Sequence, residues 1–169
     1  ALQTKAVTWL TRAGESAMSR YELKDSVTLF ERALPLTDDK ARLWRRIARA
    51  HALNYDGDAL MHAFERALEL TDDERELAET YAELAFESAL RGGMWKRRPS
   101  EEVVDEWTSR ALAHVAPRSA EHVKTLVARA MGGLPDGDEA AALALELAEE
   151  LGEPGLQSAA RDACGVNAF

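Results

Sequence analysis

Apolar residues recur at intervals of three or four along most of the chain, a spacing that is typical of amphipathic α-helices. The helix-favouring residues Ala, Leu, Glu and Arg make up much of the sequence, and runs of β-branched residues are missing. We therefore expect an all-α fold. Towards the C-terminus the pattern predicts helices over residues 120–131, 138–151 and 156–164, with a break at Gly152 and Pro154.

A stretch of nine residues occurs twice in the sequence with a single change. Residues 31–39 return as residues 65–73, and only the fifth residue differs. The same offset relates Phe30 to Phe64. Such a repeat predicts helical hairpins that stack side by side, because one amphipathic hairpin cannot bury its apolar stripe alone.

The offset and the residue types resemble the tetratricopeptide repeat family, which has a period of about 34 residues. In each repeat a large apolar residue is followed three or four positions later by a small one, and a second helix carries small, aromatic and Ala positions. These residues are Leu10, Ala13, Gly14, Ser26, Phe30 and Ala33 in the first repeat, and Trp44, Ile47, Ala48, Leu60, Phe64 and Ala67 in the second.

The resemblance implies a right-handed α-solenoid of about four hairpins and a terminal helix, in one domain that spans residues 1–169. The predicted repeats are approximately residues 7–40, 41–74, 75–118 and 119–152, and the terminal helix is residues 155–165. The third repeat holds an insertion at residues 92–101, because its Ala-Leu pair returns only at Ala111 and Leu112, later than the period predicts.

Two Gly- and Asp-containing segments are predicted to be turns between helices. In the first, Gly57 is expected to take a left-handed conformation and Asp58 to cap the next helix. Residues 132–138 repeat this arrangement. The spaced aspartates also suggest a calcium loop, but the remaining ligands and the closing Glu of such a loop are missing, so capping is the better interpretation.

The net charge of −9 disfavours broad nucleic-acid binding, and no apolar run approaches the roughly 20 residues that span a bilayer. We therefore expect neither nucleic acid nor a membrane as partner. Cys164 is the only cysteine, so no intrachain disulfide can form, and a cytoplasmic location is expected. Because the sequence opens on Ala1, we also expect it to be a piece of a longer protein.

The sequence contains no motif that predicts catalysis, a metal site or a cofactor. It has no Walker-type glycine loop, nucleophile elbow or zinc-protease helix motif. The four histidines lack the spacing of a metal site and are interpreted as packing or surface residues: His51, His62, His114 and His122. We therefore expect a protein that is not an enzyme.

Two rows of opposite charge are the first candidate site. Four arginines share one face of a predicted helix, and three glutamates follow one period later: Arg42, Arg45, Arg46 and Arg49, then Glu76, Glu79 and Glu83. The family resemblance implies that these helices line a concave face. Either the rows form ion pairs between repeats, each worth about 0–1 kcal/mol, or the arginines bind acidic side chains or a terminal carboxylate of a peptide.

The insertion is the second candidate site, because Trp95 lies beside the basic residues Lys96, Arg97 and Arg98. A tryptophan flanked by cations is typical of a protein-binding hot spot. Alternatively, Trp95 folds back and packs against the helices.

Taken together, these features predict a non-catalytic scaffold that binds a protein or peptide, another domain of the same parent chain, or a second copy of itself. The Ala/Arg/Glu-rich repeats are also weakly similar to helical regions of large bacterial signalling proteins and transcriptional regulators, which implies a regulatory or sensor arm. The alternative is a sensor that binds a small anionic effector in the concave groove, near Trp44, Tyr81 and the arginines.

Overall fold

The computed structural model describes residues 2–166 and shows an all-α fold over that range. Within it the nine α-helices are α1 Leu2–Ser19, α2 Leu23–Ala33, α3 Lys40–Leu53, α4 Gly57–Glu69, α5 Glu74–Leu90, α6 Glu101–Leu112, α7 Ala120–Met131, α8 Gly137–Leu151 and α9 Pro154–Val166. Two short 3₁₀ helices are Leu34–Leu36 and Gly92–Met94, and the second lies in the predicted insertion.

The chain divides into two compact units. Unit 1 is Ala1–Asp72 together with Gly93–Trp95, and unit 2 is Asp73–Gly92 together with Lys96–Phe169. In unit 1, α1 packs on α2, α2 on α3, and α3 on α4. In unit 2, α5 contacts α6 and α7, and α7 contacts α6, α8 and α9. Within each unit, sequential helices thus pack in pairs, as in helical hairpins.

The predicted C-terminal helices are confirmed with small shifts at their ends. Helix α7 has the predicted bounds, α8 begins one residue earlier than predicted, and α9 begins at Pro154 and ends at Val166. Pro154 is the first residue of α9, where its missing N–H has no cost because that group would have no partner within the helix. Gly152 ends α8 in a left-handed conformation with φ 71°.

The residues that recur with the repeat period form the core of unit 1. Phe30 and Phe64, at equivalent positions of α2 and α4, are 0% and 1% exposed. A Cβ atom on Gly14 would lie only 2.5 Å from the Phe30 ring atom Cε1. The predicted need for a small residue at position 14 is therefore confirmed, because a larger one would displace a buried ring.

The turns of the two hairpins in unit 1 also have one geometry. Tyr21 and Tyr55, at equivalent positions of the two repeats, have φ values of 59° and 57°. After α1 the Glu22 N–H donates to the Ala17 carbonyl at 2.9 Å, and after α3 the Asp56 N–H donates to the His51 carbonyl at 3.0 Å. These bonds are typical of the Schellman motif that ends many helices.

The predicted roles of Gly57 and Asp58 are wrong. The left-handed residue is Tyr55, and the cap is Asp56, whose side chain accepts a hydrogen bond from the Ala59 N–H at 3.0 Å. Gly57 is instead the buried first residue of α4, where its lack of a side chain serves packing. In the second turn the left-handed residue is Gly133, with φ 75°, whereas Gly137, the glycine before Asp138, is the first residue of α8, and Asp136 is its N-cap residue.

Unit 2 is centred on apolar side chains of α7, α8 and α9, with Phe86 of α5 in the same cluster. Beside it, Arg129 of α7 connects α6 to the turn before α8. Its Nη1 donates to Asp105 Oδ1 at 3.0 Å, and its Nη2 donates to Asp136 Oδ1 at 2.9 Å. The Arg129 hydrogen bonds lower the pKa of Asp136 below its ordinary value, so this carboxylate stabilises the fold while it is charged.

Candidate functional site

An open groove of about 270 Å³ runs between α1 and α3 in unit 1. These helices are the first of their respective hairpins, so the groove lies on the helices that the sequence predicts to line a concave face. Its lining is mostly polar and consists of Val7, Thr8, Thr11, Arg12, Glu15, Thr37, Asp39, Arg42, Leu43 and Arg46. We call this surface the α1/α3 groove.

The start of α3 places Arg42 at the edge of this groove. The Thr37 hydroxyl accepts a hydrogen bond from the Asp39 N–H at 3.1 Å, and the Asp39 carboxylate accepts one from the Arg42 N–H at 3.4 Å. Asp39 therefore caps the helix, which begins at Lys40. The cap fixes the backbone of Arg42 in the first turn of α3, and the residue is exposed there.

Arg46 is held in the groove by an ion pair with Glu15 of α1. Its Nε donates to Glu15 Oε1 at 3.0 Å, and Nη2 lies 2.9 Å from the same oxygen. The Arg46 side chain is 23% exposed and that of Glu15 is 46% exposed. The pair therefore ties α1 to α3 while parts of the carboxylate and the guanidinium still face the groove.

The charges of the lining favour an anionic ligand. Arg12, Arg42 and Arg46 contribute three guanidinium groups, against the carboxylates of Glu15 and Asp39. This local excess of positive charge lies in a chain whose net charge is −9. Since one carboxylate is paired and the other caps a helix, Arg12 and Arg42 are the exposed charges that a ligand meets first.

The structure distributes the predicted charge rows over both units. Arg45 and Arg49 lie on α3 beside the two groove arginines, with Arg45 half-buried and Arg49 exposed. The three glutamates Glu76, Glu79 and Glu83 lie on α5 in unit 2 and are half-buried. Glu79 Oε1 accepts a hydrogen bond from Arg75 Nε at 3.2 Å. The pairing of one row with the other stays a prediction.

Sequence reasoning misses the contribution of α1 to the groove. Thr8, Thr11, Arg12 and Glu15 line it, although no sequence pattern singles them out as a site. The repeat period could have identified Glu15, because it places this residue at the position equivalent to Arg49. An acid of the first repeat thus occupies a position of the arginine row.

The insertion places Trp95 on the start of α4. A Cβ atom on Gly57 would lie 2.9 Å from Trp95 Cε3 and 3.1 Å from the Met94 carbonyl. Met94 is 8% exposed, and Trp95 is half-buried. These contacts agree with the packing interpretation of Trp95, while its use as a hot spot stays a prediction.

The basic residues after Trp95 belong to unit 2 and are exposed: Lys96, Arg97 and Arg98. The guanidinium of Arg98 lies over Gly92, where a Cβ atom would be 2.8 Å from Arg98 Cζ. Arg98 therefore covers the backbone of the loop at Gly92.

Of the histidines, His51 and His62 lie in unit 1, and His62 contacts Trp44. The Trp44 and His62 rings meet edge to face, with centroids 6.1 Å apart. Burial lowers the pKa of His51, an effect that Asp56 and Glu31 oppose and His62 reinforces. Among residues 2–166, no group of three or more His, Cys, Asp and Glu side chains is placed to hold a metal ion.

No helix in the described part of the chain is long and apolar enough to cross a membrane. Comparison of the chain with protein-family models, with curated proteins and with solved structures finds no match.

Proposed function

We propose that this chain is a non-catalytic interaction domain built from tetratricopeptide-like hairpins, and that its α1/α3 groove binds an acidic segment of a partner protein. The observation that carries the proposal is the set of three groove arginines, two of which are exposed. The segment belongs to another protein or to another part of the parent chain, as expected of a regulatory or sensor arm in a larger signalling protein.

The repeat geometry of unit 1 supports the tetratricopeptide-like interpretation. Buried phenylalanines and left-handed tyrosines both recur at the same offset. In unit 2 the contacts of α5 with α7, and of α7 with α9, are those expected between the first helices of successive hairpins in a solenoid. In such an array the first helices line the concave surface, which is where we place the ligand.

The groove favours an extended peptide over a small molecule. Its volume of about 270 Å³ lies below the roughly 300–1,000 Å³ of sites that enclose a small ligand, and it opens to solvent. Guanidinium groups on α1 and α3 can each hold one carboxylate in bidentate fashion. The threonines of the lining add hydroxyl groups for the peptide backbone.

Binding is tested with a fluorescein-labelled peptide that alternates Asp and Ser and ends in a free carboxylate. Fluorescence polarisation should detect binding that weakens as salt is added. The variant R12E/R42E should raise the dissociation constant at least about tenfold, because both exposed guanidinium groups are replaced by repulsive carboxylates. The matched control R110E/R161E changes net charge equally at exposed arginines of unit 2 that lie outside both candidate sites, and it should bind nearly as the wild type does.

Two results would contradict the proposal. If R110E/R161E weakens binding as much as R12E/R42E does, the peptide responds to overall charge and not to the groove. If free glutamate, citrate or inorganic phosphate raises the melting temperature of the wild type but not of R12E/R42E, while the peptide fails to bind, the groove is the site of a small anionic effector. Circular dichroism of each variant checks that helix content is unchanged.

A further inference from the structure

Helix α1 exposes a second surface, on the side away from the α1/α3 groove, that holds a large apolar side chain and an adjacent cleft. Trp9 is 78% exposed and Leu2, two turns earlier on the same face, is 85% exposed. At the equivalent position of α3, one period later, Leu43 is only 3% exposed. The first hairpin thus exposes a large apolar side chain at a position that the next hairpin buries, which makes this face a candidate for contact with another molecule.

The cleft lies between α1 and α2 and has a volume of about 490 Å³. It is lined on α1 by Ala13, Ser16, Ala17 and Arg20, on α2 by Thr28, Leu29 and Arg32, and at the start of α2 by Glu22 and Asp25. Ala13 and Ser16 lie one and two turns after Trp9, so the tryptophan and the cleft share one face of α1. The small side chains on α1 leave room for an indole ring, whose face can stack against the arginine guanidinium groups of the lining.

We propose that the chain forms a two-fold dimer in which Trp9 of each copy occupies the α1/α2 cleft of the other. A two-fold interface uses the same patch on both copies, so the patch must contain both halves of each contact. The α1 face meets this requirement because it carries the protruding side chain and the cleft together. This surface is separate from the α1/α3 groove, so the inference is independent of the proposed peptide binding.

Charge complementarity supports an antiparallel pairing of the two α1 helices. Lys5 lies one turn before Trp9, and Asp25 and Glu22 lie at the α2 side of the cleft. When Trp9 enters the partner's cleft, the N-terminal half of α1 approaches the start of the partner's α2. In this arrangement Lys5 would face Asp25 of the second copy, because the neighbouring carboxylate of Glu22 is already paired with Arg20. Lys5 and Asp25 are both exposed in the single chain.

The dimer is tested by sedimentation equilibrium of the purified chain from about 5 to about 500 µM. We expect a concentration-dependent rise from the chain mass of 18.6 kDa towards twice that value. The variant W9A should raise the dimer dissociation constant at least about tenfold, as expected of a tryptophan hot spot. The control Y55N removes another exposed aromatic residue, at a left-handed position that Asn tolerates, and should not alter dimerisation.

Charge reversal tests the orientation of the two copies. K5E and D25K should each weaken the dimer about three- to tenfold, and the double variant K5E/D25K should restore it to within about twofold of the wild type. All these positions are exposed, so the variants should stay folded, and only D25K, which places a cation in the first turn of α2, should lower the melting temperature by about a few degrees. A monomer at about 500 µM, a dimer unaffected by W9A, equal loss in Y55N, or no rescue in the double variant would each overturn the proposal.

Discussion

The two hairpins of unit 1 follow the same repeat pattern, yet they differ at the positions where side chains must be small. Phe30 and Phe64 are both buried, and Tyr21 and Tyr55 have the same left-handed backbone. However, Gly14 of the first hairpin corresponds to Ala48 of the second. The core and turn residues therefore recur with the repeat period. The largest side chain that fits at a small-residue position, however, depends on what packs against that helix.

A second pair of equivalent positions shows the same principle. Leu23 begins α2, whereas Gly57 begins α4 at the equivalent position, one period later. Gly57 is required by contacts that come from the insertion, since Trp95 and the Met94 carbonyl occupy the space of a side chain. The residue type at position 57 of the second repeat is therefore determined by packing against a segment that comes much later in the chain.

The largest effect is expected from removing either phenylalanine. F30A and F64A should each lower the free energy of unfolding of unit 1 by about 3–5 kcal/mol, because a fully buried ring is replaced by a cavity. The measurement is urea unfolding followed by Trp fluorescence in a W107F background, since Trp9, Trp44 and Trp95 then report on unit 1 alone. Losses that differ by more than about 2 kcal/mol would argue that the two positions are not structurally equivalent.

A smaller effect separates Gly14 from Ala48. G14A should destabilise unit 1 by about 1–3 kcal/mol, because its Cβ would lie 2.5 Å from the buried Phe30 ring. Without this contact, Ala would be favoured over Gly within a helix by about 1 kcal/mol. The variant A48G should instead lose about 1 kcal/mol.

The same urea unfolding curves distinguish steric conflict from helix propensity. In a G14A/F30L background the shorter side chain should remove most of the additional loss caused by G14A. A stabilising G14A would show that the Phe30 ring moves aside at little cost, and the first hairpin would then tolerate the small residue of the second.

The insertion contact is expected to have the next largest effect. G57A should cost about 1–2 kcal/mol in the wild type, because the new methyl group meets the Trp95 ring at 2.9 Å. In a W95A background the same change should cost clearly less, and the difference is the coupling energy of the double-mutant cycle. G155A is the control, since a Cβ atom at Gly155 of α9 has no neighbour within 4 Å.

The W95A variant also separates the two interpretations of Trp95. A loss of stability with unchanged partner binding would favour packing, whereas unchanged stability with reduced binding would favour the hot spot. Equal cost of G57A with and without the indole ring would contradict the contact between Gly57 and Trp95.

The repeat can be predicted from the sequence because the residues that define it recur at a fixed spacing along the chain. Phe30, Phe64 and Gly14 follow from spacing alone, and their burial is confirmed. The left-handed residue does not follow in this way, since Gly is the usual residue for that conformation, whereas the chain uses tyrosine twice. The sequence signal for the turn is instead the recurrence of tyrosine one repeat period apart, at Tyr21 and Tyr55.

The groove is predictable only in part. The common helix face identifies Arg42 and Arg46, but nothing in the sequence pairs Arg46 with Glu15. Contacts between helices of different repeats depend on how far each helix is offset along its neighbour, and spacing within one helix does not give that offset. For the same reason the packing of Trp95 on Gly57 cannot be predicted from the sequence and is seen only in the three-dimensional structure.

The smallest difference between the two hairpins concerns pH. His51 corresponds to Ala17 of the first hairpin, and its pKa is lowered from 6.5, first by burial and then by His62, against Asp56 and Glu31. Below pH 6.5 the unfolded chain therefore binds more protons at this residue than the folded chain does. Unit 1 should thus lose stability as the pH falls through this range, and His51 should have little effect on the slope above it.

The variant H51Q isolates this contribution, because glutamine is polar but does not titrate. Between about pH 7.5 and about pH 5.5 its free energy of unfolding should fall less than that of the wild type. The exposed His114 of unit 2 provides the control, since H114Q should leave the slope for unit 1 unchanged. An NMR titration that places the pKa of His51 at or above 6.5 would contradict the burial that lowers it, and the hairpins would then not differ in their response to acid.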